Sequence, residues 1–224
     1  MGPIPSKVVV TTKIIYDRTL FRHFNKDHNK VKQWLDRVMV LSRPLLLHSS
    51  LNLKIKLDIV GDYAFENVRI QANDPSLIEI YTNIYPKYKH LIGAFTYSGR
   101  YGTVGLAYLG TACSTSGSAV GITELYREDN SEFYSARTYV DELGHNLGMW
   151  HDFDLKHGGN GNQGSGGRCE GHGLMSYGAA PDKWSSCSNE DFVDAYKRGF
   201  LYEGRRSTPL HECLTPVVVG KPQG

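Results

Sequence analysis

Between positions 141 and 152 the chain reads Asp141-Glu142-Leu143-Gly144-His145-Asn146-Leu147-Gly148-Met149-Trp150-His151-Asp152. Residues four apart on a helix lie one turn apart on the same face, so Asp141 and His145 can point at a common centre. Glu142 follows directly and can reach the same pocket. Gly148 tolerates the left-handed backbone that ends helices, and a sharp turn there can swing His151 back toward the other two. The set is three metal ligands of the right types with a carboxylate beside them. A hydrolytic zinc site needs such a set: three protein ligands, a fourth position for water, and a base for that water's proton.

Positioning these residues requires a helix and a framework to hold it. Ala136, Val140, Leu143 and Leu147 form an apolar stripe, which predicts a helix from about Glu132 to Leu147, ended by Gly148. Upstream, Val8–Ile15 is β-branched and reads as a strand. Val31, Trp34, Leu35, Val38, Leu41 and Leu45 recur at helical steps from His28 to near Pro44. Leu51 to Ile59 alternates apolar and polar residues and predicts a strand with one wet face. Asp74-Pro75-Ser76 opens a second helix, and Leu91–Tyr97, Val104–Leu109 and Ala119–Ile122 read as further strands. Strands alternating with helices make an α/β pattern. After a glycine-dense loop from Gly158 to Gly178, Ser188-Asn189-Glu190-Asp191 reads as the N-cap of a last helix with Phe192, Ala195, Tyr196 and Phe200 on its buried face. That loop has no phosphate-binding glycine motif. His157 and His172, inside it, read as structural.

Composition bounds the function classes. The chain has 224 residues, 40% hydrophobic and 11% aromatic, which fits one globular domain, alone or as two lobes around a cleft. The formal charge is +2 with no long block of like charge, so no nucleic-acid tail is expected. Apolar runs are too short to span a bilayer. Cys113, Cys169, Cys187 and Cys213 form no C-x-x-C pair, which argues against a thiolate zinc or redox site. Four spaced cysteines fit two disulfides and an oxidising compartment, with four buried free thiols as the alternative. Met1-Gly2-Pro3 leads into no signal-peptide core, so a secreted protein would have this chain as a processed mature domain with Met1 an added start.

The segment 141–152 resembles the metzincin signature H-E-x-x-H-x-x-G-x-x-H, and Leu143 to Asp152 is similar to the reprolysin (adamalysin, ADAM and ADAMTS-like) branch. Leu174-Met175-Ser176-Tyr177-Gly178 resembles that family's methionine turn. Trp184-Ser185-Ser186-Cys187-Ser188 and Gly105-Leu106-Ala107-Tyr108-Leu109-Gly110-Thr111-Ala112-Cys113 match its tract before the last helix and its edge strand. The similarity runs from about Val8 to Leu214.

The resemblance implies an α+β metzincin fold in one catalytic domain over residues 1–224. Its upper lobe, to about residue 148, would hold a mixed twisted sheet, long helices and the active-site helix. The small irregular lower lobe, about 149–224, would hold the methionine turn and the C-terminal helix. It further implies a secreted zinc metalloendopeptidase acting on protein or peptide substrates, with a propeptide or C-terminal domains removed. Zinc would be held by Asp141, His145 and His151, with Glu142 as base. Gly105, Leu106 and Ala107 would pair with an extended substrate, and Ala179 and Ala180 would wall the pocket for the residue after the cut. Met175 would floor the metal site, and Tyr177 could approach the metal or stabilise an oxyanion. The implied disulfides are Cys113–Cys213 and Cys169–Cys187.

The chain departs from the family pattern in two places. Asp141 stands where the family has His; it is shorter and adds a negative charge, which lowers the acidity of a metal-bound water. Lys7 and Thr215 stand in the neighbourhoods of the family's structural calcium ligands, so calcium is not expected. The Asp141 change leaves a second reading, an impaired pseudo-protease kept as a binding protein.

Overall fold

A computed structural model of the chain describes residues 3–97, 104–125, 131–178 and 180–217. Its centre is β1 (Lys7–Asp17), whose apolar and β-branched residues are buried along most of its length. After it come α1 (Arg18–His23), α2 (His28–Leu46), β2 (Lys54–Ile59) and β3 (Ala64–Glu66). Next are α3 (Asp74–Glu79), one π-helical turn (Ile80–Ile84), α4 (Tyr85–Tyr88), β4 (Leu91–Tyr97), β5 (Gly105–Ala107) and β6 (Val120–Leu125). The second half holds α5 (Ser131–Asn146), α6 (Ser186–Arg198), the short hairpin β7 (Leu201–Tyr202) and β8 (Arg205–Arg206), and β9 (Thr215–Pro216).

The main sheet runs β2-β1-β4-β6-β5, parallel except for β5, which is antiparallel to β6; β9 also pairs antiparallel with β1. The inner strands β4 and β6 are buried on both faces, as expected for parallel strands covered by helices. On one face α2 and α5 pack together over Trp34, Leu35, Val38, Phe95, Val140 and Leu143. The other face is covered by α3, the π turn and α4, with Leu77, Ile80 and Ile84 against Ile92, Val120 and Ile122. This mixed α/β sheet with one antiparallel edge strand is the fold class that the sequence predicts.

Several boundaries differ from the sequence reading, each for a local reason. The helix α2 passes through Pro44, which removes one bond from the ladder, and ends two residues later at Leu46. Residues 51–53 are not strand: the Leu51 amide donates to His48 O and the Asn52 amide to Asn189 Oδ1, so pairing with β1 starts at Lys54. The last helix is capped by Ser185, not Ser188; the Ser188 amide is already helical and donates to Ser185 Oγ. Phe200 lies beyond the end of that helix.

Cys113 is bonded to Cys213 and Cys169 to Cys187, the pairing that the resemblance implies. The first ties the C-terminal tail to the segment after β5. The second ties the glycine-rich loop to α6.

Candidate metal centre

The helix α5 supplies the first half of the site and its ending supplies the second. The Gly148 amide donates to His145 O and the Met149 amide to Gly144 O, with Gly148 at φ +92°. That is a Schellman stop, which needs a left-handed residue after the helix and here reverses the chain toward His151. A side chain at 148 would also collide with Ala195, 2.8 Å from where its Cβ would sit.

Asp141, His145 and His151 each offer one ligand atom, all within 4.8 Å of one another. His145 Nε2 is 3.0 Å from His151 Nε2 and 3.5 Å from Asp141 Oδ2, and His151 Nε2 is 3.9 Å from Asp141 Oδ2. Ligands at zinc bond lengths of about 2.0–2.1 Å in a tetrahedron stand about 3.3 Å apart. The donor set therefore fits a zinc ion, and Asp141 reaches far enough to belong to it. His145 Nδ1 lies 2.9 Å from Met149 O, which can only accept, so Nδ1 carries the proton and Nε2 keeps its lone pair for a metal. Burial, and then His151, hold the His145 imidazole below the usual histidine range, against the pull of Asp141.

Two polar atoms here are buried without a hydrogen-bond partner: Asp141 Oδ1 and Glu142 Oε2. Buried polar atoms are nearly always satisfied, so orphans at a ligand cluster mark a place built for something further. Burial, with the Asp141 charge added, pushes the Glu142 carboxyl well above the usual carboxylate range. Glu142 lies directly beneath the edge strand. A Cβ on Gly105 would fall 2.0 Å from Glu142 Oε1, so only glycine allows β5 this close to the carboxylate.

The segment after His151 packs against the site. Met175 is fully buried, and its sulfur would lie 3.1 Å from a Cβ on Gly144, so the methionine turn sits against a bare stretch of α5. Tyr177 follows at φ 63°, ψ 174°, a backbone region that is costly for any residue but glycine. Its hydroxyl is 2.8 Å from His151 Nε2. His151 also stacks on Phe153, ring centroids 4.7 Å apart. Ala180 is buried, and its carbonyl accepts from Arg137 Nη2 at 3.1 Å. Ala179 lies outside the described residues.

Gly105, Leu106 and Ala107 form the outermost strand of the main sheet, paired among the described residues with β6 alone. His157 is 3.0 Å from Asp191 and away from the cluster.

Three residues that hold the site escape the sequence reading. Asp152 is wholly buried; its amide donates to Met175 O, and its carboxylate accepts from Ser176 Oγ and Ser185 Oγ, locking the methionine turn to the start of α6. Asn146 donates from Nδ2 to Tyr108 O, Thr111 Oγ1 and Val120 O, fastening the end of α5 to the edge of the sheet. Asp154 accepts from the His151 amide at 3.0 Å. The available signal was an acid directly after His151 and an amide side chain inside a helix, where it is unfavourable unless it bonds elsewhere.

A mostly parallel sheet with an antiparallel edge strand, over a helix that carries part of a candidate metal cluster, is the architecture of the metzincin fold. Residues 9–200 match the model of the reprolysin (M12B) family of zinc metalloproteases. The chain is 30% identical over 166 residues to snake venom metalloproteinase H5 of Deinagkistrodon acutus, covering 66% of this chain and 37% of that protein. It is 31% identical over 150 residues to trimerelysin-2 of Protobothrops flavoviridis, covering 62% of this chain and 71% of that one. A chain from the solved structure of a chaperone–substrate complex shares the fold alone, with TM-score 0.52 and 16% identity over 83% of this chain and 28% of that one. The protein belongs to the reprolysin family, whose members use zinc.

Proposed function

We propose that this chain is a secreted zinc metalloendopeptidase that cleaves extended peptide segments, working as one catalytic domain with an upper lobe to about Gly148. The observation that carries this is the convergence of Asp141, His145 and His151 on one point, with the orphaned Glu142 carboxylate beside them under an open strand edge. Asp141, His145 and His151 would hold the ion. Zinc bound there supplies a Lewis acid and makes water a nucleophile near neutral pH.

The protein's own residues do the rest. The free backbone groups of Gly105, Leu106 and Ala107 pair with the substrate as an added strand. Glu142 takes the proton of the attacking water on a carboxylate oxygen and returns it to the leaving nitrogen. The Tyr177 hydroxyl, beside His151, donates to the carbonyl oxygen as it gains charge. Ala180 walls the pocket for the residue after the cut, which should be apolar. Two disulfides support an oxidising, extracellular setting, as do relatives named as venom proteins.

The test is cleavage of a peptide library by zinc-loaded protein, with and without a chelator. Chelator-sensitive cleavage that falls by about 10²–10⁴-fold in Glu142→Gln, with zinc still bound, is expected. Cleavage that survives either treatment would refute the reading.

A further inference from the structure

Beyond the metal centre, the edge strand runs into a second feature. A cavity of about 900 Å³ opens between residues 107–111 and the β7–β8 hairpin, within the size range of ligand pockets. Its walls include Ala107, Leu109, Phe200, Tyr202 and Arg205. It shares Ala107 and Tyr108 with the end of the strand on which the substrate would lie.

The cavity is built rather than incidental. Gly110 comes so near Phe200 that a Cβ there would lie 2.2 Å from the Phe200 Cβ, so the floor is a ring pressed onto bare backbone. The hairpin turns through Glu203 and Gly204, both at positive φ, as a tight two-residue turn requires. An isolated hairpin is marginal in water, and this one is anchored. Arg206 Nη1 donates to Gly199 O at 2.7 Å, and the Ser207 and Phe200 backbones are bonded to each other at 2.9 Å. Tyr202 and Arg205 are directly opposed across the hairpin and so share a face. Tyr202 remains 56% exposed, unusual for a large ring on a fixed element. Arg206 also reaches Asp194 at 3.4 Å, whereas Arg205 has no ion pair among the described residues.

The cleft also has a direction. Ala180 is held by Arg137, and Gly105 lies over Thr138 and Glu142, all toward the start of α5. Gly110 and Ala112 are bonded to His145 O and Asn146 O at the end of α5. The cavity therefore lies on the opposite side of Glu142 from the Ala180 wall. If Ala180 receives the residue after the cut, the cavity receives residues before it. The step from Gly105 to Tyr108 or Leu109 is about three to four residues, at about 3.3 Å each.

We infer that this cavity is a substrate subsite for the third and fourth residues before the scissile bond, taking a large apolar side chain next to an acidic one. The apolar partner would pack on the exposed Tyr202 ring above the buried Phe200, and the acid would meet Arg205. The assignment to residues before the cut rests on the proteolytic reading above; the apolar and acidic preference rests on the cavity's own lining.

The test uses fluorescent peptides of the form X-X-Ala-Ala-Leu-Ala-Ala, with Leu placed to follow the cut and X-X set to Phe-Asp, Phe-Lys or Ala-Ala. Binding is measured by anisotropy to the zinc-loaded Glu142→Gln protein, and cleavage by the wild type. The Phe-Asp peptide should bind about tenfold more tightly than Ala-Ala. Tyr202→Ala should remove most of that gain, and Arg205→Glu should reverse the order of Phe-Asp and Phe-Lys. Equal affinities for the three peptides, an unchanged order in both variants, or no binding of any peptide would overturn the subsite. Variant-sensitive binding without cleavage by the wild type would leave a peptide-binding cavity of this preference standing and remove the proteolytic reading. Cleavage at equal rates with equal affinities would do the reverse.

Discussion

The two halves of the metal centre are held by different physics. Asp141, Glu142 and His145 sit on α5, a regular helix whose apolar stripe faces the core, and their spacing alone sets their directions. His151, Met175 and Tyr177 sit in an irregular stretch with hardly any repeating backbone pattern. There, single side chains take over the work of a helix ladder: Asp152 binds the methionine turn to α6, Asp154 holds the His151 amide, and Glu170 accepts from the Gly164 and Gly166 amides. The Cys169–Cys187 bond then closes the loop against α6. The helical half should tolerate the loss of any one contact outside the ligands, whereas the irregular half should fail at its few buried anchors.

The sharpest threat to the helical half should come from outside it, at Gly105 on β5. Its substitution by Ala forces a methyl group toward Glu142 Oε1, and displacing a base by about 1 Å can cost about 100-fold in rate. Zinc affinity should stay near wild type, because the ligands are untouched, while the crowding against Glu142 and Thr138 should cost about 1–3 kcal/mol of stability. Full activity in Gly105→Ala would show that Glu142 does not work from this position.

Asp152→Ala should break the irregular half. It strands two buried serine hydroxyls and removes a buried carboxylate, which should cost about 2–4 kcal/mol. Denaturant unfolding gives the number, and weaker zinc binding should accompany it. A variant as stable as wild type would mean that the methionine turn is held by packing alone.

A smaller effect is expected at Glu170. Hydrogen bonds from the Gly164 amide first, and from Gly166 and Gly167, hold its carboxyl below the usual carboxylate range. A lowered native value means that the bonds stabilise the loop fully above the ordinary carboxylate pKa and that this support is lost as pH falls through the lowered one. Hydrogen exchange at Gly164 and Gly166 should therefore be slower in wild type than in Glu170→Gln at pH 7, with the difference vanishing in acid. Equal exchange at pH 7 would assign the loop's order to the disulfide instead.

This division also explains what was legible in the sequence. The stripe Ala136, Val140, Leu143 and Leu147 placed α5 to within a residue, and Gly148 marked its stop. The alternation of Lys54, Lys56 and Asp58 fitted a strand at the side of the sheet. Asp152 and Asn146 were invisible because their partners, Ser176, Ser185, Tyr108 and Val120, are brought close only by the tertiary fold. The hairpin at 201–206 was missed because its strands are two residues long and exposed, with no alternation to detect. Ser188 misled as a cap because the acids after it imitate a capping box, while the true cap, Ser185, is chosen by its bond to Asp152.

The central claim is that position 141 belongs to the metal's own shell. Zinc affinity, measured by competition with a chromophoric chelator, tests it directly in wild type, Asp141→His and Asp141→Ala. One zinc should bind per chain, more tightly in Asp141→His and more weakly in Asp141→Ala, the latter by more than about 100-fold, since even outer partners are worth about 10–100-fold. The same affinity in all three proteins would place Asp141 outside the shell and contradict the assignment.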